Sequence, residues 1–344
     1  YLKRPAYEAP MLEPHLLSTC NQLWLSSPDF SETIEKLPLS SDEIQLIETF
    51  RQQGYVVIES GISDEHIATT VNELQGKYTD AASGHTEPSR VLDAWEFNPQ
   101  VKAIAGAPEV LKTLELLYQR RPIPFQTLNF MYGTQQAAHS DLIHFNSEPL
   151  GFMCGAWVAF EATDSGNGPL FYYEGSHRLP YYDYFSLGIK PGDKDSYRQY
   201  EDKICELIRQ HGLIKKQLHL KKGQCVIWAA NLLHGGSPIT ETGRTRYSQV
   251  THYYFENCYY YQPGYSDPQL GRFALKDITN LATGEKVPHT YRGRTIKASD
   301  FGPGFWEKTF PRLSHHVKAA QNRGLSETWG RLGRKVKRRL ASQN

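Results

Sequence analysis

The sequence predicts a mainly β protein, a jelly-roll core with helices packed on its flank. Two observations predict it. After Pro122 the chain breaks into short apolar strands separated by glycine turns, the pattern of an antiparallel all-β core. Before Pro122, three stretches carry apolar residues at helical spacing.

The elements follow in order. Residues 1–40 hold Pro5, Pro10, Pro14, Pro28 and Pro38 and read as an N-terminal arm, extended apart from a short helix near 16–25. Ser40, Ser41 and Asp42 cap a first helix that carries Ile44, Ile47 and Phe50 and ends at Gly54. Residues 55–58 read as a strand, 64–78 as a second helix and 79–90 as a polar loop. Pro108–Tyr118 places Val110, Leu114 and Leu117 on one stripe, a third helix for packing on a sheet. The core strands are expected at 125–132, 138–144, 152–160, 170–173, 217–220, 225–228 and 246–255. Residues 179–216 interrupt them with a turn at Pro191-Gly192-Asp193 and a helix near 200–211. Such an insertion at a barrel mouth reads as a lid or as a solvated outer helix. The core domain thus spans 41–260, with an extension over 261–324 packed on it and a basic tail over 325–344.

Composition sets bounds on function. A chain of 344 residues can bury a sizeable core without disulfides or structural metal. The net charge of +1 gives no general attraction to nucleic acid. The five cysteines, Cys20, Cys154, Cys205, Cys225 and Cys258, are scattered and read as free thiols of a reducing compartment, the cytoplasm. No apolar run is long enough for a transmembrane helix. The chain begins at Tyr1 rather than methionine, which leaves room for a removed leader.

The chemistry concentrates at His139 and Asp141. On a strand, residues two apart leave the same face roughly 6.5–7 Å apart, so the pair can converge on one ion. With a second imidazole they form the two-histidine, one-carboxylate set of non-haem Fe(II) oxygenases, which leaves positions open for O2. His144 would face the other side of a continuing strand. His234 follows a short apolar strand and runs into Gly235-Gly236, where a backbone can pass close to a ligand.

These motifs resemble the phytanoyl-CoA dioxygenase family of Fe(II)/2-oxoglutarate enzymes. The resemblance rests on His139-Ser-Asp141, Gly155-Ala-Trp157-Val-Ala-Phe160, Asn167-Gly168-Pro169-Leu170, Gly175-Ser176-His177-Arg178 and the stretch from Gly223 to Gly236. It covers roughly residues 40 to 260, and Glu174 departs from it where the family has proline. It implies a double-stranded β-helix, cupin-like core and an iron held by His139, Asp141 and His234. It also implies an arginine after the second histidine for the distal carboxylate of 2-oxoglutarate. Arg246 suits this better than Arg244, because it shares a face with Ser248 at the start of a strand. Gln126 and Asn129, on the preceding strand, are further candidates for contact with the keto acid. His144, Trp157, Tyr181 and Tyr184 are the candidates for the substrate pocket, although Trp157 and Trp228 read first as core. His177 reads as ordering its own turn.

The resemblance implies hydroxylation of an unactivated C–H bond of a small molecule, with release of succinate and CO2. Related halogenases replace the carboxylate with a small residue, so Asp141 points to a hydroxylase. Two other readings use the same residues: a non-catalytic or zinc-binding jelly-roll module, and a hydroxylase of a lipid-linked or sugar envelope substrate. The second would use the tail, where Leu325, Trp329, Leu332, Val336 and Leu340 alternate with a basic run. Such a run is ordinarily a solvated helix face, and an anionic membrane surface is the less expected partner. The sequence assigns no oligomeric state.

Overall fold

The computed structural model describes residues 23–82 and 90–301. The basic tail and its membrane reading lie outside them, as do most of the N-terminal arm and most of the polar loop after the second helix.

The N-terminal segment that is described differs from the extended arm expected. A 3-10 turn at Trp24–Ser26 and a helix α1 (Phe30–Glu35) fold onto the core. Trp24 and Phe30 are buried there, their rings 5.3 Å apart, and the Trp24 indole donates to the Leu117 carbonyl at 2.8 Å. The apolar rings in this proline-rich stretch outweigh its extended bias.

Helix α2 (Ser41–Gln53) starts with a reciprocal capping box between Ser40 and Glu43 and stops at Gly54, which takes a left-handed φ of 80°. Strand β1 (Tyr55–Glu59) and helix α3 (Asp64–Ala82) follow. Next come β2 (Arg90–Leu92), α4 (Pro99–Ala105) and α5 (Pro108–Tyr118). The strands then run β3 (Pro122–Phe130), β4 (Asn146–Glu148), β5 (Met153–Ala159) and β6 (Leu170–Tyr173). After the insertion with its helix α6 (Ser196–Gln210) come β7 (Lys215–Leu218), β8 (Gln224–Ala229), β9 (His234–Gly236), β10 (Ser248–Phe255) and β11 (Tyr259–Tyr261).

A six-stranded antiparallel sheet has the order β1-β8-β5-β10-β3-β2, and a three-stranded sheet the order β7-β6-β9. Strand alternation sorts the large sheet's side chains to two faces. Cys225 and Ile227 join Ile47, Phe50, Val110, Leu114 and Leu117 in the layer under the helices. Val226, Trp228, Trp157 and Val250 point inward and meet Leu170, Tyr172 and Leu218 of the small sheet. The jelly roll thus has an inner core between its sheets, and the site opens at one end of it.

The expected strand over 138–144 does not form. His139 makes an isolated antiparallel bridge to His234, and Asp141–Ile143 is a 3-10 turn. The same-face argument for the pair therefore does not apply, and the two side chains converge through a bend. The insertion has its own apolar cluster, in which Tyr184, Ile189, Tyr200 and Ile204 pack on Ala138, Ile143, Phe171 and Leu233. Glu174 explains its departure from proline, because its backbone N–H donates to Ile214 at 3.2 Å and its carboxylate pairs with Lys216 at 2.8 Å. Proline would remove the first of these bonds.

Candidate active site

His139, Asp141 and His234 come together as the sequence suggests. One ligand atom from each lies within 4.8 Å of the others, and all three residues are buried. Nε2 of His139 stands 3.9 Å from Oδ1 of Asp141, and Nε2 of His234 stands 3.7 Å from the same oxygen.

The backbone holds both imidazoles. Nδ1 of His139 lies 3.0 Å from the Ala137 carbonyl, and Nδ1 of His234 lies 2.9 Å from the Leu232 carbonyl. Each ring therefore carries its proton on Nδ1 and offers the Nε2 lone pair, the arrangement that metal-ligating histidines adopt. The two backbones also bond to each other, at 3.0 and 2.9 Å between His139 and His234. The glycine pair after His234 permits a tight approach, since a β-carbon on Gly236 would stand 2.8 Å from the Gln135 nitrogen.

Electrostatics suits a cation. Burial, then His234, pulls the His139 imidazole down to about 3, so it is neutral at pH 7. Burial works to raise the Asp141 carboxyl, but His234, His252, His139 and the Trp228 hydrogen bond outweigh it and hold the group below its ordinary value. A buried carboxylate with two imidazole nitrogens within 3.9 Å of it is a donor set that fits a divalent metal.

Two neighbours of Asp141 escaped the sequence reading. Trp228, read as core, donates from Nε1 to Oδ2 at 2.7 Å. His252 places Nε2 at 3.8 Å from the same oxygen, and its Nδ1 meets Gln126 at 3.2 Å. Its place, six residues after Arg246 on the inward face of β10, was a usable signal. Gly155 lies under Trp228, and a β-carbon there would collide with the indole.

A cavity of about 830 Å3 opens over the triad. Arg246 lines it and is buried, with its guanidinium 5.1 Å from the Trp157 ring. Its Nη1 donates to the Gly168 carbonyl at 2.6 Å, while its buried Nε–H has no partner among the described residues. Burial lowers Arg246 to about 10, which leaves it charged. Arg244 is elsewhere, paired with Asp164 and Glu241, each at 2.8 Å.

Gln126 lines the cavity, but Asn129, three residues on, faces the helix layer and donates to Gln249 at 3.1 Å. That placement removes Asn129 from the keto-acid candidates. Ser248 is buried beside Arg246 but does not line the cavity, and its hydroxyl donates to the Arg246 carbonyl at 3.3 Å. Of the substrate candidates, His144, Trp157 and Tyr184 line the cavity. Tyr181 does not: it lies at the surface against Gly151. His177 docks the chain instead, its Nε2 3.1 Å from the Arg51 carbonyl at the end of α2.

The insertion over 179–216 sits on the site. Tyr197 lines the cavity and stacks on His144 at 5.4 Å. The Tyr200 hydroxyl accepts from the Ser140 N–H at 3.0 Å, between the two ligands of the first motif. Residues after β11, among them Gln262, Tyr265 and Lys276, close a further wall, which the sequence reading left without a role. No helix among the described residues is long and apolar enough to cross a membrane.

Comparison with known proteins agrees with this geometry. The family model for phytanoyl-CoA dioxygenase matches residues 71–246, just over half of the chain. A mouse protein, phytanoyl-CoA dioxygenase domain-containing protein 1, is 29% identical over 84 residues. That match covers 23% of this chain and 29% of the mouse protein, so the chain spans under a third of that relative's length. Among solved structures, the non-haem α-ketoglutarate-dependent carbocyclase SnoK of nogalamycin biosynthesis superposes with a TM-score of 0.53 at 15% identity. It covers 76% of this chain and 97% of its own, and shares the fold. The epimerase SnoN, solved with Fe3+ and α-ketoglutarate, is 18% identical with a TM-score of 0.49, covering 64% of this chain and 86% of its own. The chain belongs to the phytanoyl-CoA dioxygenase family and has a jelly-roll core.

Proposed function

We propose that this protein is an Fe(II)- and 2-oxoglutarate-dependent oxygenase that hydroxylates an unactivated C–H bond of a small metabolite or biosynthetic intermediate. In balance, the substrate R–H, O2 and 2-oxoglutarate give R–OH, succinate and CO2. The observation that carries the reading is the convergence of His139, Asp141 and His234 within 4.8 Å, at the floor of a cavity that also holds a buried arginine.

Iron, when bound, supplies the O2 chemistry, and the chain supplies position and a dry environment. His139 and His234 present Nε2, and Asp141 presents a carboxylate kept ionised. The retained carboxylate supports hydroxylation over halide transfer. Arg246 receives the distal carboxylate of 2-oxoglutarate, for which a planar guanidinium with an unpaired Nε–H is suited. The Trp157 ring beneath it excludes water from that contact. Gln126 meets His252, which packs beside Asp141. Tyr184 and Tyr197 cover the substrate from the insertion.

A zinc-binding module that performs no reaction would use the same ligands. It would leave the buried Arg246 without purpose, which favours the oxygenase. The test is anaerobic addition of Fe(II) and then 2-oxoglutarate to metal-free protein, with Arg246→Ala alongside. A visible charge-transfer band, weakened in the variant, is the expected result. Well-folded, iron-loaded protein without a band would move the zinc-binding module to the front.

A further inference from the structure

The cavity wall built after β11 carries a cation that the proposed reaction does not use. Lys276 lines the cavity, and its backbone N–H is fixed to the Tyr260 carbonyl at 2.8 Å. Its Nζ stands 5.3 Å from the centroid of the Phe145 ring. Among the described residues, no hydrogen bond or ion pair engages this ammonium. Asp93 and Asp277 are the acidic groups whose fields reach it. Asp93 is already committed to the fold, with Oδ1 accepting from Thr127 N–H at 3.1 Å and from the Trp95 indole at 3.2 Å. Asp277 is exposed. Burial pulls Lys276 below its ordinary value, as it does for an ammonium withdrawn from water without a close counter-ion.

Its surroundings give a direction. Phe145 lies 5.5 Å from His252, ring to ring, and His252 abuts Asp141. Phe125 packs edge-on against Phe145 at 5.3 Å. From Lys276 an aromatic wall therefore runs inward to the triad. The 2-oxoglutarate carboxylate is accounted for by Arg246, which leaves Lys276 for the other organic reactant.

We infer that Lys276 anchors a carboxylate of the primary substrate, whose apolar body lies along Phe145 and Phe125 toward the iron ligands. An unpaired ammonium on a cavity wall gains most from a carboxylate, and the aromatic wall beside it gains from an apolar or ring body. The inference rests on the oxygenase reading of the site.

The test uses the full chain loaded with Zn(II) and saturating 2-oxoglutarate, so that the Arg246 position is filled and no turnover occurs. Calorimetric titration compares 3-phenylpropionate with its uncharged amide, 3-phenylpropanamide, on the native protein, Lys276→Met and Lys276→Arg. The acid is expected to bind the native protein at least tenfold more tightly than the amide. Lys276→Met should lose that preference and Lys276→Arg should keep it, which separates charge from a folding effect. Equal binding of acid and amide, no saturable binding of the acid, or an unchanged preference in Lys276→Met would overturn the inference. Failure of the oxygenase reading shows separately, as absence of the Fe(II)/2-oxoglutarate charge-transfer band.

Discussion

The indole of Trp228 holds one oxygen of Asp141 at 2.7 Å, leaving the other oxygen to face His139 and His234. A bond this short, between a buried donor and a carboxylate, fixes the orientation of the ligand before any metal arrives. Trp228→Phe keeps an aromatic ring at the site and removes the donor together with the five-membered half of the indole, so a denaturant titration of the variant separates lost packing from the lost bond. Partners of metal ligands typically contribute about ten- to a hundredfold in metal affinity. Metal titration of the variant should show a loss in that range with an unchanged far-ultraviolet circular dichroism spectrum.

Gly155 makes room for that indole. Replacing it with alanine puts a β-carbon into the Trp228 ring. Overpacking of a buried site costs about 1–3 kcal/mol. Gly155→Ala should lower the denaturant midpoint accordingly and weaken metal binding along with it, because the displaced indole is the Asp141 donor.

The two arginines separate cleanly. Arg246→Ala should weaken 2-oxoglutarate binding by about ten- to a hundredfold, the worth of a charge-assisted hydrogen bond. Arg244→Ala breaks only the partly exposed pairs to Asp164 and Glu241 and should leave 2-oxoglutarate affinity unchanged. Titration of the charge-transfer band on both variants checks the contrast.

Acid should destabilise the metal-free protein in a window set by His139. Its pKa falls from the ordinary 6.5 to about 3 on folding, through burial. The unfolded chain takes up a proton below 6.5 that the folded chain refuses until about 3. The stabilising contribution is therefore present above pH 6.5 and lost as pH falls toward 3. Denaturant titrations across that range should show a shallower pH slope for His139→Gln than for the native sequence.

Asp141→Ala should abolish succinate production and reduce metal binding. Succinate formed at the native rate would sink the assignment of this residue as a ligand.

The chemistry was legible in the sequence because it depends on residue type: two imidazoles, a carboxylate and an arginine near a glycine pair are unusual together. Strand-level reasoning served less well. It placed His139 and Asp141 on a common strand face, whereas the backbone bends between them and supplies the same convergence by another route. Gln126 and Asn129 could not be ranked, because alternation fixes only that residues three apart face opposite ways, and the register with β10 decides which faces inward. Trp228 was read by its bulk as core, which it is, but its N–H found a carboxylate that only the tertiary fold brings near. The Lys276 wall was illegible, since it lies forty-two residues beyond His234 in sequence and reaches the cavity only after β11 pairs with β4.

The reciprocal backbone pair between His139 and His234 has a thermodynamic corollary. Two ligands ninety-five residues apart in sequence are riveted by the main chain, so loop closure is complete when the sheet folds and not when the ion binds. Stripping the metal should therefore leave a folded apoprotein in which the amide protons of both histidines exchange slowly and open together. Rebinding should then be a docking event that orders little further chain, its rate set by access through the cavity and not by refolding.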